Sequence, residues 1–195
     1  MSEPMRRSPL EALAQPGRSV AGPAPVTLEA LPFGGKLVLR AAADVADSAA
    51  DVLGFALPGP LQDTGSATVR ALWLGPDEWL LLVGAAEVEA QAAALRAWLT
   101  GRHHAVIDVS DRFTGIAVGG AHAADVLAAG CPLDLHPQVF RPGMVTRTLL
   151  GKATVILRRP DDGDRFELYV NGSLAPYVWL FLENAGREFG IAVAA

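Results

Sequence analysis

Segments with the two-residue period of a strand alternate with segments that have the period of a helix, and this alternation limits the fold more than any single motif. In the first half, four segments combine apolar and β-branched residues between turn signals and are predicted as strands: 26–31, 36–41, 68–74 and 78–83. The first two flank the loop sequence PFGG, which predicts a hairpin. Helices are predicted at 44–57 and between Glu87 and Gly101, the second because its apolar residues recur on one helical face.

The second half repeats this arrangement. Its predicted strands are 104–110, 114–120, 145–150, 153–159 and 165–170, and its predicted helices are 121–130 and 174–189. We therefore expect the α+β class, with two units that each contain an antiparallel or mixed sheet and helices packed on one face. The expected units are 26–102 and 103–195.

The first 25 residues carry no apolar period. They mix Pro, Gly, Ser and Arg, which is typical of chain that cannot form a core of its own. We expect residues 1–25 to be either disordered or an arm that becomes ordered on a partner.

Bulk composition excludes several classes of function. The net charge is −5 and the basic residues are scattered, so we expect no nucleic-acid partner. A single cysteine, Cys131, and the lack of an apolar stretch near 20 residues predict a soluble cytoplasmic protein without a membrane partner. Apolar residues make up 51% of the chain and the mean hydropathy is +0.28, which favours a surface covered by another chain.

The sequence DVSDRFTGIAVGG at 108–120 gathers polar residues beside three glycines and resembles a catalytic or phosphate-binding site. A dinucleotide fingerprint needs G-x-G-x-x-G, whereas Gly115, Gly119 and Gly120 give G-x-x-x-G-G. The nearby LLGKAT lacks the first glycine of a P-loop, and Ala153 replaces its Ser or Thr. We therefore predict a tight turn that leads into a helix.

Asp108, Ser110 and Asp111 could take part in acid–base or nucleophilic chemistry, but no histidine motif supplies a base for the serine. We predict that Asp108 is a buried carboxylate held by backbone N–H groups or by an arginine such as Arg112. The four histidines and the cysteine show no metal-ligand spacing, so we expect no catalytic, cofactor or metal residues in this chain.

Trp179 and Leu180 fall outside the apolar stripe of the last predicted helix. Two large apolar residues on that side need cover, either from a second core layer of this chain or from a partner subunit. Both alternatives are open from the sequence.

Five segments together resemble the gamma-subunit family of heterotetrameric sarcosine oxidase: RRSPL, LWLGPDEWLLL, DVSDRFTGIAVGGAHAADVLAAGCPLDLHP, RPGMVTRTLLGKATVILRR and APYVWLFLENAGREFG. The pattern around DVS also resembles the folate-binding region of the aminomethyltransferase family. The resemblance implies two ferredoxin-like units and a complex of four different subunits. Such a complex demethylates sarcosine oxidatively to glycine, with hydrogen peroxide and either formaldehyde or methylene-tetrahydrofolate as further products.

The same resemblance implies where the chemistry of such a complex lies. FAD, FMN, NAD, tetrahydrofolate and zinc belong to the alpha, beta and delta subunits, and the gamma chain contributes structure. We expect partner contacts at Arg7, Ser8, Pro9 and Leu10 of the arm and at Trp179 and Leu180. The alternatives are a stand-alone folate-binding relative of the aminomethyltransferases, with Asp108 and Arg112 near the pteridine, and a scaffold module of another amine oxidase.

Overall fold

The structure, a computed structural model, describes residues 7–20, 25–160 and 163–194. The strands in these ranges are β1 (Ser19–Val20), β2 (Val26–Ala30), β3 (Gly35–Ala41), β4 (Asp63–Gly65), β5 (Val69–Gly75), β6 (Glu78–Val83), β7 (His104–Asp108), β8 (Phe113–Gly119), β9 (Val145–Leu150), β10 (Ala153–Arg158), β11 (Arg165–Asn171) and β12 (Ile191–Val193). The helices are α1 (Ala50–Leu53), α2 (Val88–Trp98), α3 (Ala123–Ala128) and α4 (Ala175–Ala185).

The strands form two sheets. The first sheet has the order β4-β5-β6-β3-β7 and is antiparallel, and the second has the order β1-β12-β2-β8-β11-β10-β9 with one parallel pair, β12 with β2. The predicted α+β class is confirmed, and both sheets are antiparallel or mixed as expected.

Side chains alternate between the two faces of each sheet, because successive residues of a strand point in opposite directions. In β11, Leu168 and Val170 join the core beneath α3 and α4, whereas Tyr169 joins a cluster that includes Leu72 and Leu80 of the first sheet. The other face of the first sheet packs against α1 and α2. The molecule therefore has four layers, helices on the outside and two sheets face to face, with helices on one face of each sheet.

The two sheets exchange a strand relative to the expected boundary near residue 102. β2 pairs with β8 and β12 of the second sheet, and β7 pairs with β3 of the first. The hairpin predicted around PFGG is therefore wrong, since β2 and β3 belong to different sheets. Alternation along a strand specifies which face is buried, but it does not specify the strand's partner.

The helix predicted at 44–57 is mostly absent. Two 3-10 turns lead into α1, which is a single turn long and ends at Gly54 with φ of +79°. Ser48 donates its hydroxyl to the carbonyl oxygen of Val45 at 3.0 Å, a local bond that competes with helical hydrogen bonding.

The described part of the arm is ordered on this chain's own core, unlike the disorder or partner-induced order expected for residues 1–25. Leu10 is fully buried in the core of the second sheet, and β1 pairs with β12 at the edge of that sheet. The carbonyl of Leu10 accepts the N–H groups of Leu13 and Ala14, which forms one helical turn around the buried side chain. Residues 1–6 and 21–24 lie outside the described ranges.

In the described ranges, the helices are too short and insufficiently apolar to cross a membrane.

Candidate functional site

The turn at Asp108 is built by local hydrogen bonds. One carboxylate oxygen of Asp108 accepts the backbone N–H of Ser110 at 2.9 Å and the Ser110 hydroxyl at 2.5 Å. The Ser110 hydroxyl oxygen in turn accepts the backbone N–H of Lys36 at 3.0 Å, which joins the turn to β3. Asp108 is exposed, so the prediction of a buried carboxylate is wrong, although a backbone N–H does hold it.

Arg112 does not hold Asp108. Its Nε donates to the amide oxygen of Asn171 at 3.2 Å, and its guanidinium lies 5.1 Å from the ring centroid of Phe113. Arg112 therefore stacks at the surface of the second sheet. Asp108 and Arg112 therefore bond to different side chains, Ser110 and Asn171.

The glycines of this segment serve backbone packing. Gly120 has φ of +102°, and its N–H donates to the carbonyl oxygen of Asp164 at 2.9 Å. A Cβ at Gly115 would lie 2.9 Å from the side chain of Leu31, and one at Gly119 would lie 2.7 Å from Oγ1 of Thr27. Because Gly115 and Gly119 lack a side chain, the neighbouring residues Leu31 and Thr27 can approach β8 closely. The predicted tight turn before α3 is present.

Histidine and cysteine side chains, which are common metal ligands, have structural contacts in this fold. Within the described ranges, no three His, Cys, Asp or Glu side chains form a metal-ligand group. His122 donates through Nδ1 to a carboxylate oxygen of Asp125 at 2.8 Å, and its ring stacks on Phe189. Cys131 is buried, which makes it a small apolar core residue.

The predicted contact residues separate into buried and exposed groups. Leu10 and Trp179 are fully buried, so neither presents surface to a partner, contrary to expectation. Leu180 is 50% exposed, Arg7 and Pro9 are exposed, and Ser8 is half-buried.

Trp179 is covered by this chain itself, and Glu183 links its side chain to the arm. The indole N–H of Trp179 donates to Glu183 at 3.0 Å, and Glu183 pairs with Arg18 of the arm at 2.7 Å. Leu10 of the arm belongs to the same core as Trp179. The second core layer of this chain therefore covers Trp179, which was the alternative to a partner subunit.

A network of six alternating charges joins the two sheets, and it escaped the sequence analysis. Its members are Glu29, Arg165, Glu167, Arg158, Asp63 and Arg70. Arg165 lies 2.8 Å from Glu29 and 3.9 Å from Glu167, and Arg158 lies 2.7 Å from Glu167. Arg158 also donates through Nε to Asp63 across the two sheets, and Asp63 lies 2.8 Å from Arg70 of its own sheet.

The centre of this network is withdrawn from water. Arg158 is 6% exposed, and the hydroxyl of Tyr169 donates to Glu167 at 3.0 Å. Burial lowers the pKa of Arg158, but the hydrogen bond that Arg158 donates to Asp63 and the charges of the neighbouring carboxylates outweigh it and leave that pKa raised. The pKa of Tyr169 is raised, first by burial and second by the negative charge of Glu167. Neither group changes protonation near neutral pH, so the network is suited to holding the sheets together rather than to proton transfer.

One signal in the sequence could have pointed to this network. Arg165, Glu167 and Tyr169 alternate in β11, which places them on the same face of the strand. Arg158 is a charged residue at the end of β10, whose preceding residues Val155, Ile156 and Leu157 are apolar. Their partner Asp63 is 95 residues from Arg158 in the chain, and no local pattern connects them.

The network borders a cavity of about 520 Å³ between the two sheets. Arg158, Glu167 and Tyr169 line one side, and the turn between β4 and β5 lines the other. Apolar residues from both sheets complete the wall: Leu31, Pro32, Leu82 and Val83. This is the volume range of small-molecule sites.

Comparison with known proteins gives three consistent matches. A family model described as "Sarcosine oxidase, gamma subunit family" matches residues 40–188. The chain is 32% identical over 200 residues to the sarcosine oxidase subunit gamma of Corynebacterium sp. (strain U-96), covering 100% of this chain and 96% of that one. It also superposes on a chain of the heterotetrameric sarcosine oxidase from Corynebacterium sp. U-96, in complex with pyrrole 2-carboxylate, with a TM-score of 0.83, 31% identity and 97% coverage of both chains.

A more distant likeness concerns the fold alone. Aminomethyltransferase T of the glycine cleavage system from Bartonella henselae superposes with a TM-score of 0.64 and 18% identity, covering 84% of this chain and 47% of that one. Curated aminomethyltransferases match over 32–33% of their own length. The chain thus shares its architecture with part of a larger protein.

Proposed function

Because this chain belongs to the sarcosine oxidase gamma-subunit family, we propose that it is the non-catalytic gamma subunit of a heterotetrameric sarcosine oxidase. The observation that carries this proposal is the match over 97% of both chains to a chain of such an oxidase. The complex would demethylate sarcosine oxidatively to glycine, with hydrogen peroxide and either formaldehyde or methylene-tetrahydrofolate as products. The gamma chain would contribute assembly and structural support.

The local geometry supports a structural role for this chain. The hydroxyl of Ser110 is engaged by Asp108 and by the backbone of Lys36, and the central charges of the network are paired with one another. Nucleophilic catalysis requires a hydroxyl activated by a base, and an engaged turn hydroxyl does not meet that need. We accordingly propose that FAD, FMN, NAD, tetrahydrofolate and zinc are bound by the other chains of the complex.

The partners in this proposal are the alpha, beta and delta subunits, in the cytoplasm. The exposed side of α4 is the contact surface that the proposal favours. Leu180 is 50% exposed there, and Tyr177, three residues earlier, and Leu174, the residue before the helix, are also partly exposed. Exposed apolar side chains on one helix are typical of a subunit contact. Arg7, Ser8 and Pro9 of the arm are the remaining accessible contact candidates.

Co-expression of the four chains, with a tag on the alpha chain, tests this function. The tagged chain should retain the gamma chain through size-exclusion chromatography, and the complex should produce hydrogen peroxide with sarcosine. Leu180→Ser should reduce the recovered gamma chain at least severalfold, because it removes an apolar contact. Val139→Ser, at a similarly exposed apolar residue outside α4, is the matched control and should assemble normally.

Two results would contradict the proposal. A gamma chain that never co-purifies with its partners would contradict the subunit role itself. Normal assembly of the Leu180→Ser variant would contradict only the contact at α4.

The aminomethyltransferase fold favours one second candidate, a stand-alone folate-binding protein with Asp108 and Arg112 near the pteridine. Asp108 bonds to Ser110 and Arg112 to Asn171, so the geometry supports this candidate less well. Titration calorimetry of the isolated chain with tetrahydrofolate distinguishes the two. Micromolar affinity without partners would favour the folate-binding protein.

A further inference from the structure

Lys36 is a buried cation between the two sheets. The chain contains two lysines, and Lys36 lies in β3 with 4% of its surface exposed, whereas Lys152 lies in an exposed turn. Its backbone is fixed on both sides, because its N–H donates to the Ser110 hydroxyl at 3.0 Å and its carbonyl accepts the N–H of Val109 at 2.8 Å. The ammonium group is therefore held at a defined place in the fold.

The ammonium group is incompletely satisfied by the protein. Nζ donates one hydrogen bond, to the carbonyl oxygen of Gly34 at 3.1 Å. Among the residues that the structure describes, no carboxylate lies within ion-pair distance of Nζ. Burial lowers the pKa of Lys36, and the more distant charge of Asp111 raises it in part. A buried ammonium with unused donors gains free energy from a nearby anion.

Lys36 lines the cavity of about 520 Å³ between the sheets. The cations on the opposite wall are already neutralised, since Arg158 pairs with Asp63 and Glu167, and Arg70 pairs with Asp63. Lys36 is thus the cavity cation whose charge no adjacent carboxylate balances, within the described part of the chain. One unbalanced positive charge fits a monoanion, because a dianion would bring a second negative charge into the cavity without a partner.

The rest of the lining indicates the body of the ligand. Leu31, Pro32, Leu82 and Val83 form apolar wall, and Ser66 and Thr68 place hydroxyl groups at the turn between β4 and β5. Pockets for small molecules combine such apolar surface with a few polar groups that fix orientation. We propose that this cavity binds a small organic monocarboxylate, with the carboxylate on the Lys36 ammonium and the apolar body against these four residues. The site needs no other subunit.

The two lysines allow a direct test in the isolated full chain. Their side-chain Cε–H groups give two NMR resonances, and benzoate is the probe. Benzoate should raise the pH at which Lys36 loses its proton and leave Lys152 unchanged, because a bound anion favours the charged form. Benzamide, the neutral analogue, should move neither resonance. Absence of a benzoate effect on Lys36 up to about 10 mM would overturn the proposal, as would equal effects of benzoate and benzamide.

Variants add an independent measurement by titration calorimetry or chemical-shift mapping. Lys36→Met should weaken benzoate binding at least tenfold, and Lys152→Met should bind as the wild type does. Ala67→Trp places a large side chain at an exposed residue of the cavity lining and should also weaken binding. If Lys36→Met fails to fold, the Ala67→Trp variant and the lysine titration of the wild type still test whether benzoate binds in the cavity. Inorganic phosphate bound as tightly as benzoate, or unchanged benzoate affinity in Ala67→Trp, would overturn the assignment.

Discussion

Arg158 shows how much one buried side chain can depend on distant parts of the sequence. It belongs to β10 of the second sheet, and one of its two carboxylate partners, Asp63, lies in β4 of the first sheet. A buried charge is tolerated only when it is paired and hydrogen-bonded. The charge network is therefore a constraint on how the sheets face each other as well as a source of stability.

Removing Arg158 should be costly. Arg158→Met leaves Asp63 and Glu167 without their main partner in a buried place, and we expect the free energy of unfolding to fall by about 3–5 kcal/mol. Urea denaturation followed by circular dichroism measures this. Arg102→Met is the matched control, because the Arg102–Asp44 pair is exposed on both sides, and it should change stability by less than about 0.5 kcal/mol. Equal effects of the two substitutions would show that the buried network stabilises the fold no more than an exposed ion pair does.

Lys36 has the opposite effect on stability. Its pKa is lower in the folded chain than in the unfolded chain, so between these two pKa values the unfolded state binds more protons. The free energy of unfolding should rise with pH across that window, and below it the buried charge is a cost. We expect Lys36→Met to be more stable than wild type at neutral pH, because it removes the cost of the buried charge. The difference should shrink as pH approaches the ordinary lysine pKa.

Denaturation curves of wild type and Lys36→Met at several pH values between neutral and alkaline check this sign. Lys152→Met serves as the control and should follow the wild-type pH dependence. A Lys36→Met variant less stable than wild type at neutral pH would mean that the ammonium is satisfied in the folded state.

At the scale of the element, α4 has two large apolar residues with opposite roles. Trp179 and Leu180 are adjacent in the chain, yet Trp179 is fully buried and Leu180 is half exposed. A helical wheel places both outside the main apolar stripe, because it considers one helix without its neighbours. The core of this chain, to which Leu10 of the arm also belongs, covers Trp179.

Substitutions in α4 should separate these roles in the isolated chain. Trp179→Ala removes a fully buried indole and should lower the free energy of unfolding by about 3–5 kcal/mol. Leu180→Ser should change the free energy of unfolding by less than about 0.5 kcal/mol, because the side chain is half exposed and contributes little to the core. Thermal or urea unfolding of the purified gamma chain provides both values. A large loss in Leu180→Ser would show that any assembly defect in that variant comes from misfolding.

At the scale of the whole molecule, the exchange of strands makes one unit out of two sheets. β2 leaves the first half of the chain to pair in the second sheet, and β7 leaves the second half to pair in the first. The cluster around Leu72, Leu80, Ile156 and Tyr169 then buries the two facing surfaces against each other. Neither sheet is complete without residues from both sides of position 102.

We therefore expect the chain to unfold in a single transition. One variant keeps only Trp79, in the core of the first sheet, and another keeps only Trp179, in the core of the second. In each variant, the urea midpoint measured by tryptophan fluorescence should equal the midpoint measured by circular dichroism. Fragments 1–102 and 103–195 expressed separately should not fold. Two separated transitions, or one folded fragment, would restore the boundary that the sequence predicted.

Local periodicity predicted much of this architecture. The strands from β5 to β11, the helix α2 and the α+β class follow from apolar alternation and turn residues, which act over a few positions. The shortest strands, β1, β4 and β12, are two or three residues long, too short to show a period. The candidate site was less accessible, because the cavity is lined by residues from both sheets.

The sequence by itself determined which residues alternate, where most strands begin and end, and that a tight turn follows the strand in 108–120 and leads into a helix. Each of these depends on neighbours in the chain, where side-chain direction and backbone preference act locally. Only the tertiary structure decided that β2 and β7 change sheets, that the core of this chain covers Trp179, and that Arg158 meets Asp63 at a separation of 95 residues. Such contacts arise from packing of the whole core and from the need to pair every buried charge, and no local pattern encodes them.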